Sequence, residues 1–123
     1  MPKPEHERGS QTPGIEIVPE PAVDPHRRIV DSHHHLWDRG GSTYLAGELL
    51  ADTTATHNIT HTVFVDCMSK YETTGPIHLQ PVGETRFVAQ QAAEIAVSGR
   101  TKIAAIVSFA DMTLGFTTTR STN

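Results

Sequence analysis

The sequence is short of several things at once, and each shortage removes a class of explanation. Cys67 is the only cysteine, so no intramolecular disulfide can form and a reducing cytoplasm is the expected compartment. The hydrophobic share is 37%, against about 45–50% in ordinary globular chains, a class that counts glycine. Part of the chain is therefore expected to lie outside a core. The longest uninterrupted apolar run, Ile103 to Val107, is far below the roughly 20 residues that cross a bilayer. The opening Met1-Pro2-Lys3-Pro4-Glu5-His6 also lacks the apolar run of a signal peptide. Ten basic residues against fourteen acidic ones leave a formal charge of -4, and the basic residues form no stripe. Nucleic acid and membrane are excluded as expected partners on that ground. At 123 residues there is room for one domain.

What is present begins with proline. Six of the eight prolines fall in residues 1–28, at positions 2, 4, 13, 19, 21 and 25. Proline removes backbone donors and turns the preceding residue away from helix. Few large apolar groups offset the ordering entropy here, so 1–28 reads as a flexible lead-in, with Ile15, Ile17 and Val18 as candidates to dock on the domain. A first strand is centred on Ile29-Val30-Asp31. Arg39-Gly40-Gly41-Ser42 is a turn signal. The pairs Tyr44-Leu45 and Leu49-Leu50 recur at helical spacing and predict a short helix over 43–52, ended by the threonines from Thr53 to Thr56.

Thr62 to Cys67 is a nearly continuous β-branched apolar run, the pattern of a strand buried on both faces. Residues 68–83 carry Gly75-Pro76 and Pro81-Val82-Gly83 and read as a long loop. Thr85 to Ser98 is the clearest helix, with Phe87, Val88, Ala92, Ile95 and Ala96 as its apolar stripe and Arg86, Gln90 and Glu94 facing away. Thr85 is its expected N-cap and Gly99 its left-handed C-cap residue. Lys102 to Ala110 repeats the buried-strand pattern. The rhythm strand, helix, strand, helix, strand implies an α/β fold with a parallel sheet, and the polar strand ends fall on the rim where such folds place their sites. The threonine-rich stretch 115–123 reads as a low-complexity, disordered tail.

The chemistry concentrates in Asp31-Ser32-His33-His34-His35. On an extended segment side chains alternate, so Asp31, His33 and His35 are expected on one face and His34 on the other. Two imidazoles two residues apart can reach one divalent ion, and a catalytic site needs about three protein ligands plus a position for water. Asp31 is the candidate to accept a hydrogen bond from the outer nitrogen of a ligating histidine. The pair alone is a weak signal, and its strand context and flanking acids give it weight. Zinc leads as the ion, although imidazole suits manganese, iron and nickel as well. Cys67 is read as a small buried hydrophobe rather than a nucleophile, and His57, His61 and His78 as solvated side chains. Asp111 is read as the polar end of a strand. Glu84 and Arg86 are read as a solvated first turn of the helix, and Trp37 as a wall of the pocket or a packing residue.

Val30-Asp31-Ser32-His33-His34-His35-Leu36-Trp37-Asp38 resembles the opening strand of the amidohydrolase-related metal-dependent hydrolases, in the branch holding sugar lactonases and pyrone-dicarboxylate lactonases. Leu49-Leu50-Ala51-Asp52, His61 to Cys67, Val82 to Val88 and Val107 to Asp111 look like the same branch in the same order. The resemblance implies a partial (β/α)8 TIM barrel, about the first three strand units over 29–114. It matches His33 and His35 to the two metal-binding histidines of the first strand and leaves His34 without a ligand role. It also implies a small-molecule lactone, amide or ester as substrate of a full-length parent, with a divalent metal as cofactor, although some relatives need none. A whole barrel takes about 250 residues, so the expectation is an N-terminal fragment whose tail is out of frame, inactive alone. No residue here matches the family's catalytic acid. The alternatives are a non-catalytic remnant, a fragment that self-associates or binds a partner through its exposed sheet edge, and a metal-binding module completed by a second chain.

Overall fold

The computed structural model describes residues 18–114, and the expectations for residues 1–17 and 115–123 lie outside the described residues. Five strands and two helices follow in the order β1 (Arg28–His34), β2 (Trp37–Arg39), β3 (Ser42–Tyr44), α1 (Ala46–Thr53), β4 (Asn58–Val65), α2 (Val82–Ala96) and β5 (Lys102–Val107). Strands β1, β4 and β5 form a parallel sheet in that order, so each new strand is added beside the one before it. The fold is mixed α/β, and no barrel closes among the described residues. Among the described residues no helix is long and apolar enough to cross a membrane.

Both helices lie on one side of this sheet. Leu49 of α1 and Val88 and Ile95 of α2 meet Phe64 of β4 and Leu36 in a single buried cluster, with Ile103 and Ile106 of β5 packed against it. The buried stripe of α2 runs Glu84, Val88, Gln91, Ile95. Ala96, expected in that stripe, is exposed, and two polar side chains take part instead. Gln91 has a positive use there: its Oε1 accepts from the backbone N–H of Ala46 at 2.9 Å, satisfying an orphan donor at the start of α1. Glu48 does the same for Leu45 N–H at 2.9 Å. At the opposite end of the sheet Thr53 and Thr101 pair their hydroxyls at 2.9 Å, and Thr101 donates to Ile59 O at 3.1 Å.

The other side of the sheet is open. The expectation of strands buried on both faces therefore fails for β4 and β5, because the two helices cover only one. On β4, Thr62 and Phe64 are buried while Val63 and Val65 are half-buried; β5 is exposed apart from Ile103 and Ile106. Those two isoleucines are three residues apart yet share the helix side. A register shift between Thr62 and Val63 makes this possible, pairing Thr62 with Ile103 but Phe64 with Ile106.

The turn at Gly40-Gly41 closes a β-hairpin rather than leading into a helix. Both glycines take positive φ, 43° and 91°, the conformation a two-residue hairpin loop requires. Thr43 and Tyr44 are thereby drawn into β3, and the helix expected from 43 begins at Ala46. Trp37 lies opposite Tyr44 with the rings stacked, centroids 4.9 Å apart. The second helix starts three residues before the expected Thr85, at Val82 after Pro81. Proline is at home at a helix start, where its missing N–H costs nothing. Thr85 uses its hydroxyl on Ser108 at 2.5 Å. Gly99 has φ 67°, as expected of a residue just past a helix end.

Candidate metal centre

Parallel strands put their C-terminal ends on one rim, so β1, β4 and β5 bring His33 to His35, Asp66-Cys67 and Ser108 to the same edge of the sheet. Asp66 N–H continues the ladder by donating to Val107 O at 2.9 Å. At the end of β1 the histidines separate by side. His34 is buried edge-on against Phe64, ring centroids 5.8 Å apart. His33 and His35 come together with centroids 5.0 Å apart and rings perpendicular.

His35 is the better held of the two. Its Nδ1 lies 2.8 Å from Val65 O. A backbone carbonyl can only accept, so Nδ1 carries the proton and the lone pair of the neutral ring is left on Nε2. This is the orientation a metal-ligating histidine needs, with the outer nitrogen anchored and the other available. His33 is exposed. Asp31 meets the pair through the backbone, its Oδ1 accepting from His33 N–H at 3.1 Å, while the ring acceptor for His35 is the Val65 carbonyl. Among the described residues no set of three or more histidine, cysteine or carboxylate groups is placed to hold an ion.

Strand β2 and the segments that follow β1 and β4 wall a cavity beside His35. His35, Trp37, Arg39 and Cys67 line a cavity of about 150 Å³. Trp37 is held by its Nε1–H on Ser42 Oγ at 2.9 Å, and Arg39 donates from Nη2 to Cys67 O at 2.7 Å. Two larger cavities, about 260 and 310 Å³, are lined by neither His33 nor His35.

Glu84 organises this rim, and reading it as a solvated residue is overturned. It is 1% exposed. Its carboxylate accepts from the backbone N–H groups of Cys67 and Ser69, each at 3.1 Å, with Ser69 Oγ 3.2 Å away. Ser69 Oγ also lies 2.8 Å from Leu36 O, so the segment after β1 is tied to the segment after β4. Between the two N–H donors, Met68 takes φ 61°, which costs a non-glycine residue about 1–2 kcal/mol. Charge-assisted bonds to both neighbours offset that cost. Gly83 lets the helix approach: a Cβ there would sit 2.7 Å from Glu72 N and 2.8 Å from Lys70 O. The signal for Glu84 was its spacing, since 84, 88, 91 and 95 follow one helical face.

The remaining candidates take structural parts. Burial first, and the Glu84 carboxylate as well, push the Cys67 thiol up, against a lowering hydrogen bond from Ser69. A thiol kept protonated is a poor nucleophile. Asp66 Oδ1 accepts from Tyr71 OH at 2.9 Å; burial and then that bond push the tyrosine up to about 12. Asp111 caps its own turn, accepting from Thr113 N–H at 2.9 Å, and hydrogen bonds to Thr113 lower its carboxyl. His57 and His78 are exposed and His61 is half-buried on β4. Burial lowers the pKa of His34, and neither of its ring nitrogens has a hydrogen-bond partner among the described residues. No family model, curated protein or solved structure matches the chain.

Proposed function

We propose that the chain is part of a metal-dependent hydrolase of the amidohydrolase-related group, three strands and two helices of a (β/α)8 barrel that carry one corner of its metal site. The observation that supports this most is the anchored His35, whose Nδ1 is committed to Val65 O while its ring lies beside that of His33. The sequential parallel strand order, with both helices on one side and an apolar face open on the other, agrees with it. His33 and His35 would hold a divalent ion, zinc first. When bound, such an ion lowers the pKa of water and polarises a lactone, amide or ester carbonyl. The chain's own residues orient: Val65 O sets the His35 ring, and Glu84, through Ser69 and Cys67, fixes the walls around it.

Two ligands fall short of the roughly three that catalytic zinc uses, so these residues alone do not turn over a lactone. The remaining ligands and the general base belong to polypeptide outside the described residues. A second reading has its own support. Both edge strands, β1 and β5, lack an outer neighbour among the described residues, and Val30 and Val107 are 59% and 51% exposed. Such edges suit self-association or a bound partner, without catalysis.

Zinc competition against a chromophoric chelator, with lactone turnover assayed in parallel, tests the proposal. The expected result is one weak site per chain, weakened at least about tenfold, or 1.4 kcal/mol, in His33→Ala and in His35→Ala, with no turnover. Equal zinc binding by both variants removes the histidine pair as ligands. Turnover by the chain alone removes the claim that its site is incomplete.

A further inference from the structure

We propose that the cavity between the turns following β4 and β5 binds a small organic ammonium ion, with Asp111 as its counter-charge and Phe109 as its aromatic wall. The chain leaves β4 through a long loop that ends in one 3-10 turn, Ile77–Leu79, and leaves β5 into another, Met112–Leu114. Pro76 and Pro81 bracket the first turn, with φ of -60° and -58°, and Leu79 N–H donates to Pro76 O at 2.9 Å. Ring-locked φ angles make this wall stiff before any guest arrives. Ile77, His78, Pro81, Phe109, Asp111 and Leu114 line a cavity of about 310 Å³. That volume falls within the roughly 300–1,000 Å³ of small-molecule sites. Ile77, Phe109 and Leu114 are 82%, 54% and 59% exposed, so the apolar part of the lining is left unfilled by the described residues.

The charge of the guest follows from the polar groups. Asp111 Oδ1 accepts from the hydroxyl and the N–H of Thr113, at 2.5 and 2.9 Å. Those bonds, the hydroxyl first, lower the carboxyl pKa, so the group is ionised at neutral pH. Oδ2 has no hydrogen-bond or ion-pair partner among the described residues. The cations of the preceding loop and helix are engaged elsewhere. Arg86 pairs with Glu72 at 2.7 Å, and Lys70 lies 3.9 Å from Asp38 and 5.3 Å from the centre of the Phe87 ring. A free carboxylate oxygen and an aromatic ring on one cavity, with no lysine or arginine in its lining, favour a cation over an anion. An alkyl or aryl group on the nitrogen covers the apolar remainder, which a bare metal ion leaves wet. No residue is shared with the histidine pair, so this inference does not rest on the metal reading.

Benzylammonium and its neutral counterpart, benzyl alcohol, are the probes, titrated at low salt into isotope-labelled chain while the amide resonances of Ile77, His78 and Thr113 are followed. An exposed ion pair and a cation–aromatic contact each contribute about 0.5–1 kcal/mol, so benzylammonium is expected to bind about tenfold more tightly than benzyl alcohol. Asp111→Asn keeps the Thr113 acceptor, removes the charge and is expected to weaken benzylammonium about threefold, with benzyl alcohol unchanged. Phe109→Leu lowers the preference by a similar factor. His78→Gln leaves it in place. Far-UV circular dichroism checks that the variants fold. Should Asp111→Asn fail to fold, the wild-type chain decides, since screening by about 0.5 M sodium chloride is expected to reduce the preference. Equal affinity for the two probes, unchanged benzylammonium binding by a folded Asp111→Asn, or a preference lost in His78→Gln overturns the proposal. So does the absence of any saturable shift, as when residues 115–123 fill the cavity. Shifts of the same resonances with protein concentration alone identify a second copy as the occupant and overturn it as well. Zinc binding by the histidine variants has no bearing on any of these results, so the two readings fail separately.

Discussion

Phe64 and Val65 are neighbours on β4, yet they belong to different environments. Phe64 is 1% exposed beneath both helices, whereas Val65 lies in a row with Val63, Ala105 and Val107 on a face that no element covers among the described residues. The covered face is where the folding free energy resides, since burial of apolar area and close packing are its main sources. The open face holds the His33–His35 pair at its rim and contributes little to holding the sheet. A site at the edge of a packed layer is positioned by the layer without being needed for it.

The largest expected effect breaks that contrast most directly. Phe64→Ala is expected to lower unfolding free energy by about 3–5 kcal/mol in urea denaturation. Val65→Ala, one residue away, is expected to cost less than about 1 kcal/mol. Similar losses at the two positions would mean that the open face is covered in solution.

Glu84→Gln tests the tie that Glu84 and Ser69 make between the segments after β1 and β4. The amide keeps the shape but turns a donor toward an N–H group, so a loss of about 2 kcal/mol is expected. Because the carboxylate helps to push the Cys67 thiol up, alkylation by iodoacetamide at a fixed pH is expected to be faster in the folded variant. An unchanged rate would separate Glu84 from the thiol.

The smallest effect is in pH. His34 is 8% exposed and its folded pKa lies below the ordinary value of 6.5. The unfolded chain then binds the proton more readily, so stability is complete above about 6.5 and falls as pH drops through that value toward the folded one. His34→Leu is expected to flatten the thermal midpoint across pH 5–8 relative to wild type. A wild-type midpoint that is already flat would show that burial does not lower the His34 pKa below its value in the unfolded chain.

Much of this organisation was legible in the residues. The β-branched runs placed β4 and β5, the spacing of Val88 and Ile95 placed α2, and Gly99 marked its end. The hairpin was hidden because Thr43 and Tyr44 suit a strand or the start of a helix, and only the pairing of Tyr44 with Trp37 settles which. Glu84 was misread because an acid in a first turn is usually solvated. Its burial depends on backbone donors contributed by residues 67 and 69, which no local window contains. The register shifts in β1 and β5 are equally invisible locally, being set by what each strand lies against.

The sequence by itself determined the alternation of strands and helices and the meeting of His33 with His35, because both follow from periodicity and from the reach of neighbouring residues. The tertiary structure decided the rest: which sheet face is covered, that the His35 ring is set by Val65 O, that Glu84 is buried, and that Arg39 stands beside Trp37 in one cavity. Each of these joins residues from different elements through hydrogen bonds or packing, and such contacts are specified by the folded backbone rather than by any single stretch of chain.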